Sequence, residues 1–175
     1  LITPDSFTNA GRMGYDLMAI PLPGGVMNEL IALYREARAE AGHEGPGRVM
    51  LAHHMFCHED DAKALEIARG ALDRYLKSLV DASSSWLDGT SSADYPGYDK
   101  IIAMLAKETT STQMEKGGAF IGSPERLADQ IAEYEEATGG FEIASLQINF
   151  NDLPLAEAER SMRLFGEKVI PKLNV

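Results

Sequence analysis

One pattern governs what this chain can fold into: short apolar runs alternate with long helical stripes, four times over. The run "YDLMAIPL", closed by "PGG", leads into "VMNELIALYREARAEAG", where Val26, Leu30, Leu33 and Ala37 recur at helical spacing. "RVMLAHHMFC" leads into "DDAKALEIARGALDRYLKSLVDA", with Leu65, Ala68, Leu72, Leu76 and Leu79 on the stripe. "GAFIGS" leads into "PERLADQIAEYEEATGG", with Leu127, Ile131 and Tyr134, and "FEIASLQINF" leads into "EAERSMRLFGEKVIPKL". Helices of this length between strands make crossover connections, which join parallel strands, so the class is α/β. Strands centred near Leu17, Leu51, Phe120 and Leu146 are expected side by side in one curved sheet, with the helices on its outer face.

The rhythm breaks once, at residues 85 to 118, "SWLDGTSSADYPGYDKIIAMLAKETTSTQMEKGG". Connections this long inside a domain are commonly binding loops, with a disordered insertion as the alternative. A lid is expected here, as the most mobile part of the chain, with Tyr95 and Tyr98 as substrate contacts and Trp86 as its anchor.

Composition narrows the partners. With 27 acidic against 16 basic residues the net charge is −11, which repels a phosphate backbone, so nucleic acid is not an expected partner. The single Cys57 excludes an internal disulfide. No apolar run approaches the ~20 residues of a membrane helix, and the expected location is the cytoplasm.

The opening "LITPDSFTNAGRMG" reads as the end of a further strand, a cluster of hydroxyls and a helix start. Four strand–helix units preceded by that strand end amount to about half of an eightfold barrel of ~250 residues. Periodicity alone leaves a doubly wound open sheet standing beside it. At the helix start, Thr3 and Ser6 bring hydroxyls to the positive end of the helix dipole, a place suited to phosphate. A simple N-cap by Asp5 or Ser6 is the competing reading.

Alternation along "RVMLAHHMFC" sends His53 and His54 to opposite faces, so only one can enter a barrel lumen. A metal site from His53, His54, His58, Glu59 and Asp60 is disfavoured, because adjacent strand residues diverge. In "ASLQINF", Ser145, Gln147 and Asn149 share one face and Leu146, Ile148 and Phe150 the other. The polar set is expected to face the lumen, with Gln147 against bound ligand. "GSPER" is a helix start, with Ser123 as N-cap and Pro124 at the first helical position. Neither a nucleophile elbow nor a glycine-rich nucleotide loop is present.

"LITPDSFTNAGRMG", "GHEGPGRVMLAHHMF", "YPGYDK", "FIGSPERLADQIAEY" and "ERSMRLFGEKVIPKL" resemble consecutive landmarks of the bacterial luciferase-like flavin-dependent monooxygenases. The resemblance runs from about the fourth strand to the C-terminus. It implies the C-terminal half of a TIM barrel, residues 1–175 forming a single barrel portion that ends with the eighth helix and lacks the N-terminal half. It further implies reduced FMN from a separate flavin reductase, O₂, a peroxyflavin that oxygenates a small organic substrate, and a homo-oligomer. Thr3 and Ser6 correspond to the hydroxyl pair that holds the flavin phosphate, and His54 to an active-site histidine of the sixth strand. The alternatives are an F420-dependent oxidoreductase of the same superfamily and a non-catalytic flavin-binding or assembly half-barrel.

Overall fold

The first helix, α1 (Pro4–Arg12), starts where its caps dictate: Thr3 accepts from the Ser6 N–H at 3.3 Å, and Pro4 needs no partner for a missing N–H. The computed structural model describes residues 3–84 and 103–173. Its further elements are β1 (Leu17–Ala19), α2 (Gly24–Glu40), β2 (Val49–Cys57), α3 (Asp61–Ser83), α4 (Thr110–Glu115), β3 (Ala119–Gly122), α5 (Pro124–Thr138), β4 (Ile143–Gln147) and α6 (Leu155–Lys168), with a 3₁₀ turn at Ile170–Lys172.

All pairings between strands are parallel, and β2 is the common partner. Successive residues of a strand aim their backbone groups at opposite edges, and this settles the order. Arg48 accepts from Leu17, while His54 and His58 donate to Gly118 and Gly122, each at 3.0 Å. Even-numbered residues therefore face both β1 and β3. Val49, an odd one, accepts from Glu142 at 3.1 Å, which puts β4 on the opposite edge. Along one edge of β2, β1 pairs with Val49–Leu51 and β3 with His54–Cys57, while β4 covers Met50–His54 from the other side.

The faces follow from alternation. Val49, Leu51, His53, Met55 and Cys57 are buried on one face. Most of them join Met27, Leu30 and Ile31 of α2, Leu127 and Tyr134 of α5 and Phe165 of α6 in one apolar cluster. Phe56, with Ala119 and Ile121 of β3, points the other way and packs on Ala64, Ala68, Ala71 and Leu72 of α3. A parallel sheet needs both faces covered, and the alanine stripe of α3 lets that helix approach closely.

The arrangement corrects the sequence reading at several points. The strands do not follow one another in chain order, because the nine-residue β2 is long enough to seat β1 and β3 end to end. The helices do not share one face, since α3 crosses the side opposite α2 and α5, a feature shared with doubly wound sheets. In α2 the buried stripe is Met27, Leu30, Ile31, Tyr34 and Ala37, leaving Val26 and Leu33 exposed. α1 and α5 both pack on this helix, so its apolar face is turned from the expected stripe. In α3, Leu79 is likewise exposed.

The described end of segment 85–118 is packed onto the fold. Buried Thr110 donates its N–H and hydroxyl to Asp73 of α3 at 2.7 and 2.8 Å. Glu108 accepts from Lys116, Thr112 and Gln113 at 2.6, 2.7 and 3.1 Å. Trp86, Tyr95 and Tyr98 lie outside the described residues.

Candidate functional site

At the start of α1 the Thr3 and Ser6 hydroxyls are in direct hydrogen-bonding contact, so the two side chains named from the sequence converge. The cap is Thr3 rather than Asp5 or Ser6, because the helix begins one residue earlier, at Pro4; a Thr3 cap is compatible with the phosphate reading, since both hydroxyls face the turn whose N–H groups carry the positive end of the dipole. Asp5, the acidic residue of that turn, is the one feature unfavourable to an anion. A groove of about 460 Å³ begins at Ser6 and runs between α1 and β1 past Asn9, Ala10, Met13, Tyr15 and Met18. The comparable helix start at Ser123 is unsuited to phosphate, because Asp61 already accepts its N–H at 2.6 Å and Glu125 and Asp129 line the adjoining groove.

His53 and His54 diverge as alternation requires. His53 is buried, with Nδ1–H donating to the Gly117 carbonyl at 2.6 Å and its ring stacked on Phe120 at 4.6 Å. Tyr134 meets it edge-on at 5.4 Å. Burial in this aromatic cage, only partly offset by Gly117, lowers its pKa to about 4, so His53 is a neutral structural residue.

His54 lies on the other face, with Tyr75 of α3 and Phe150 edge-on to its ring at 5.1 and 5.8 Å. Both ring nitrogens are buried, and neither has a hydrogen-bond partner among the described residues. Burial holds its pKa below the ordinary value and outweighs Gly118, whose carbonyl already accepts the His54 backbone N–H at 3.0 Å. The imidazole is therefore neutral near pH 7.

Gln147 stands in register with His54 across the β2–β4 pair, as Ser145 does with Ala52. Residues in register on parallel strands point to the same face, so two candidate side chains from distant parts of the chain are neighbours. Leu146 and Ile148 pack against the helix-covered core as expected. Phe150 does not: it is buried in the α3 cluster, because β4 ends at Gln147 and alternation lapses beyond it.

Tyr75 and Phe150 complete the surroundings of His54 and were not singled out from the sequence. Tyr75 lies one turn beyond Leu72 of the α3 stripe, which marks it as inward-facing but does not say which strand it meets; Phe150 was assigned to the opposite face. The Thr3–Ser6 pair and the His54–Gln147 pair are not linked by any hydrogen bond among the described residues. No group of three or more His, Cys, Asp or Glu side chains placed to hold a metal occurs among the described residues. Nor is any helix among them long and apolar enough to cross a membrane.

The sequence profile of the luciferase-like monooxygenases matches residues 2–139. A sequence comparison with curated proteins finds no significant match. Among solved structures, the monooxygenase RslO1 from Streptomyces bottropensis is similar with a TM-score of 0.74 at 24% identity, over 97% of this chain and 45% of that one. The oxygenating constituent of 3,6-diketocamphane monooxygenase from Pseudomonas putida, a type II Baeyer–Villiger enzyme in complex with FMN, gives 0.71 at 22% identity, over 97% and 46%. The coenzyme F420-dependent tetrahydromethanopterin reductase from Methanopyrus kandleri gives 0.62 at 18% identity, over 98% and 49%. The likeness is one of fold, and the chain spans less than half the length of each.

Proposed function

Since the chain belongs to the luciferase-like monooxygenase family, we propose that it forms part of an FMN-dependent monooxygenase acting on a small organic substrate, with Thr3 and Ser6 at the flavin phosphate. The observation that carries this reading is the meeting of the two hydroxyls at the α1 N-terminus. They fit a phosphate monoester: each hydroxyl can turn its proton to a phosphate oxygen, and the groove beginning at Ser6 leaves room for the rest of the ligand. Reduced FMN would supply the electrons that activate O₂, and a flavin reductase would be the separate source of it. The chain's own residues bind and orient: Thr3 and Ser6 hold the phosphate, while His54 and Gln147 face the substrate or the flavin ring. The fold neighbour that depends on F420 supports an F420-dependent oxidoreductase as the second reading.

The test compares ligands that differ only in the phosphate. Replacing Thr3 and Ser6 together by alanine removes two hydrogen bonds to a charged group, about 1.5 to 3 kcal/mol each. FMN affinity should fall on the order of a hundredfold or more, while riboflavin, which lacks the phosphate, barely changes. Equal losses for both by calorimetric titration would reduce Thr3 and Ser6 to helix caps. Tighter binding of F420 than of FMN by the unaltered protein would favour the second reading.

A further inference from the structure

A parallel sheet is normally covered on both faces. On the face that carries Phe56 of β2, α3 covers the part beside β3, packing on Phe56, Ala119 and Ile121. The part beside β1 and β4 is different. Met18, Met50 and Ile143 stand in register across β1, β2 and β4 and so share this face, yet none of the three belongs to either apolar core.

The apolar surface continues around β1. Met18 and Ile20 are exposed where Leu17 and Ala19 are buried, and Met13 and Tyr15 line one groove with Met18. Met13, Tyr15, Met18 and Ile20 each leave 56 to 60% of their surface exposed. Taking about 200 Å² as the full surface of a large side chain, the four together present on the order of 450 Å². That is as large a patch as folded monomers ordinarily expose, and patches of this size are commonly interaction sites. The patch is also electrically balanced, because Asp16, the one carboxylate lining the groove, is paired with Arg48 at 2.8 Å.

That balance bears on the partner. At a net charge of −11 two copies of this chain repel one another over most of their surface. Here they can meet without setting unpaired charges against each other, and methionine side chains adapt their shape to an opposing surface. We propose that this patch is a two-fold contact between two copies of the chain, the Met18, Met50 and Ile143 row of one lying against that of the other. The second sheet supplies the cover that α3 leaves off. The four exposed side chains of each copy would bury about 900 Å² in total, and Met50 and Ile143 bring this to the ~1,000 Å² that a specific interface needs, an area suited to a reversible dimer. Ser6 lies about 10 Å along α1 from Met13, outside the contact, so the dimer is independent of the flavin reading.

The test is sedimentation velocity of the full chain over about 1 to 100 μM, where an interface of this size associates. A monomer–dimer equilibrium is expected, tightening as salt screens the repulsion between the two copies. Ile20→Glu sets like charges face to face and should weaken the dimer at least tenfold. Tyr15→Lys brings the net charge nearer zero, which by itself favours association, and should still weaken the dimer, because the lysine meets its own copy. Leu155→Glu, at an exposed apolar residue of α6, should leave the equilibrium unchanged. Ile20 and Tyr15 are both exposed, so circular dichroism should match the parent; if one variant is altered, the other decides. A monomer throughout the range, a dimer that resists both substitutions or yields equally to Leu155→Glu, weakening by salt, or open-ended oligomers would each overturn the proposal.

Discussion

The Ser161 hydroxyl oxygen accepts the Cys57 backbone N–H at 2.7 Å, so a side chain of α6 satisfies the edge of β2 beyond the point that β4 reaches. Ser161 is fully buried, and its own proton points to the Met55 sulfur at 3.7 Å. Ser161→Ala should leave that N–H orphaned and cost about 1 to 3 kcal/mol. Urea denaturation checks this, and an unchanged midpoint would mean that water replaces the hydroxyl.

Gly117 and Gly42 both have left-handed backbones, at φ of 75° and 80°, but very different surroundings. A Cβ on Gly117 would lie 2.1 Å from the Tyr134 ring, whereas one on Gly42 would meet nothing within 4 Å. Gly42→Ala should therefore cost only the backbone term, about 1 to 2 kcal/mol. Gly117→Ala adds an overpacking term of about 1 to 3 kcal/mol and disturbs the carbonyl that holds His53. Similar melting temperatures for the two variants would contradict the close contact with Tyr134.

His53 sets a direction for acid sensitivity. Its folded pKa of about 4 lies below its ordinary 6.5, so the unfolded chain binds the proton more readily. The stability this neutral ring contributes is complete above about pH 6.5 and is lost progressively as pH falls towards 4, by on the order of 3 kcal/mol in all. His54, shifted the same way by burial, adds to the slope. In His53→Phe the dependence of unfolding free energy on pH between 7 and 4 should flatten; an unaltered slope would assign the acid limb to other groups.

Glu142 fastens β4 to β2 through two oxygens. One accepts the Val49 N–H at 2.7 Å and the other accepts from Arg35 of α2 at 2.9 Å. Glu142→Ala strands the Val49 N–H and releases Arg35, a loss of about 2 kcal/mol. Amide exchange should quicken in β4 while β3 stays protected. Uniform quickening across the sheet would show that β4 is not a separately detachable edge.

What could be read before folding was local. The cap at Ser123 depends on residues within a turn of one another, and the α5 stripe of Leu127, Ile131 and Tyr134 needs only helical periodicity. Segregation of His53 from His54 follows from the pleat of a single strand. The Thr3–Ser6 contact was likewise legible, because three residues separate its partners. Tyr75 and Phe150 were not legible as neighbours of His54, since neither their elements nor their spacing says which strand they will meet.

The sequence by itself determined the α/β class, the parallel sheet and the ends of most helices, because these express short-range hydrogen bonding and the period of apolar residues. Only the tertiary structure decided that β1 and β3 share one edge of β2, that β4 takes the other, and that α3 lies across the second face. Those choices depend on which long-range contacts bury the most apolar surface together, and no local pattern encodes such a comparison. The His54–Gln147 pair belongs to this second kind: each residue is written in the sequence, but their register across two strands exists only once the sheet has formed.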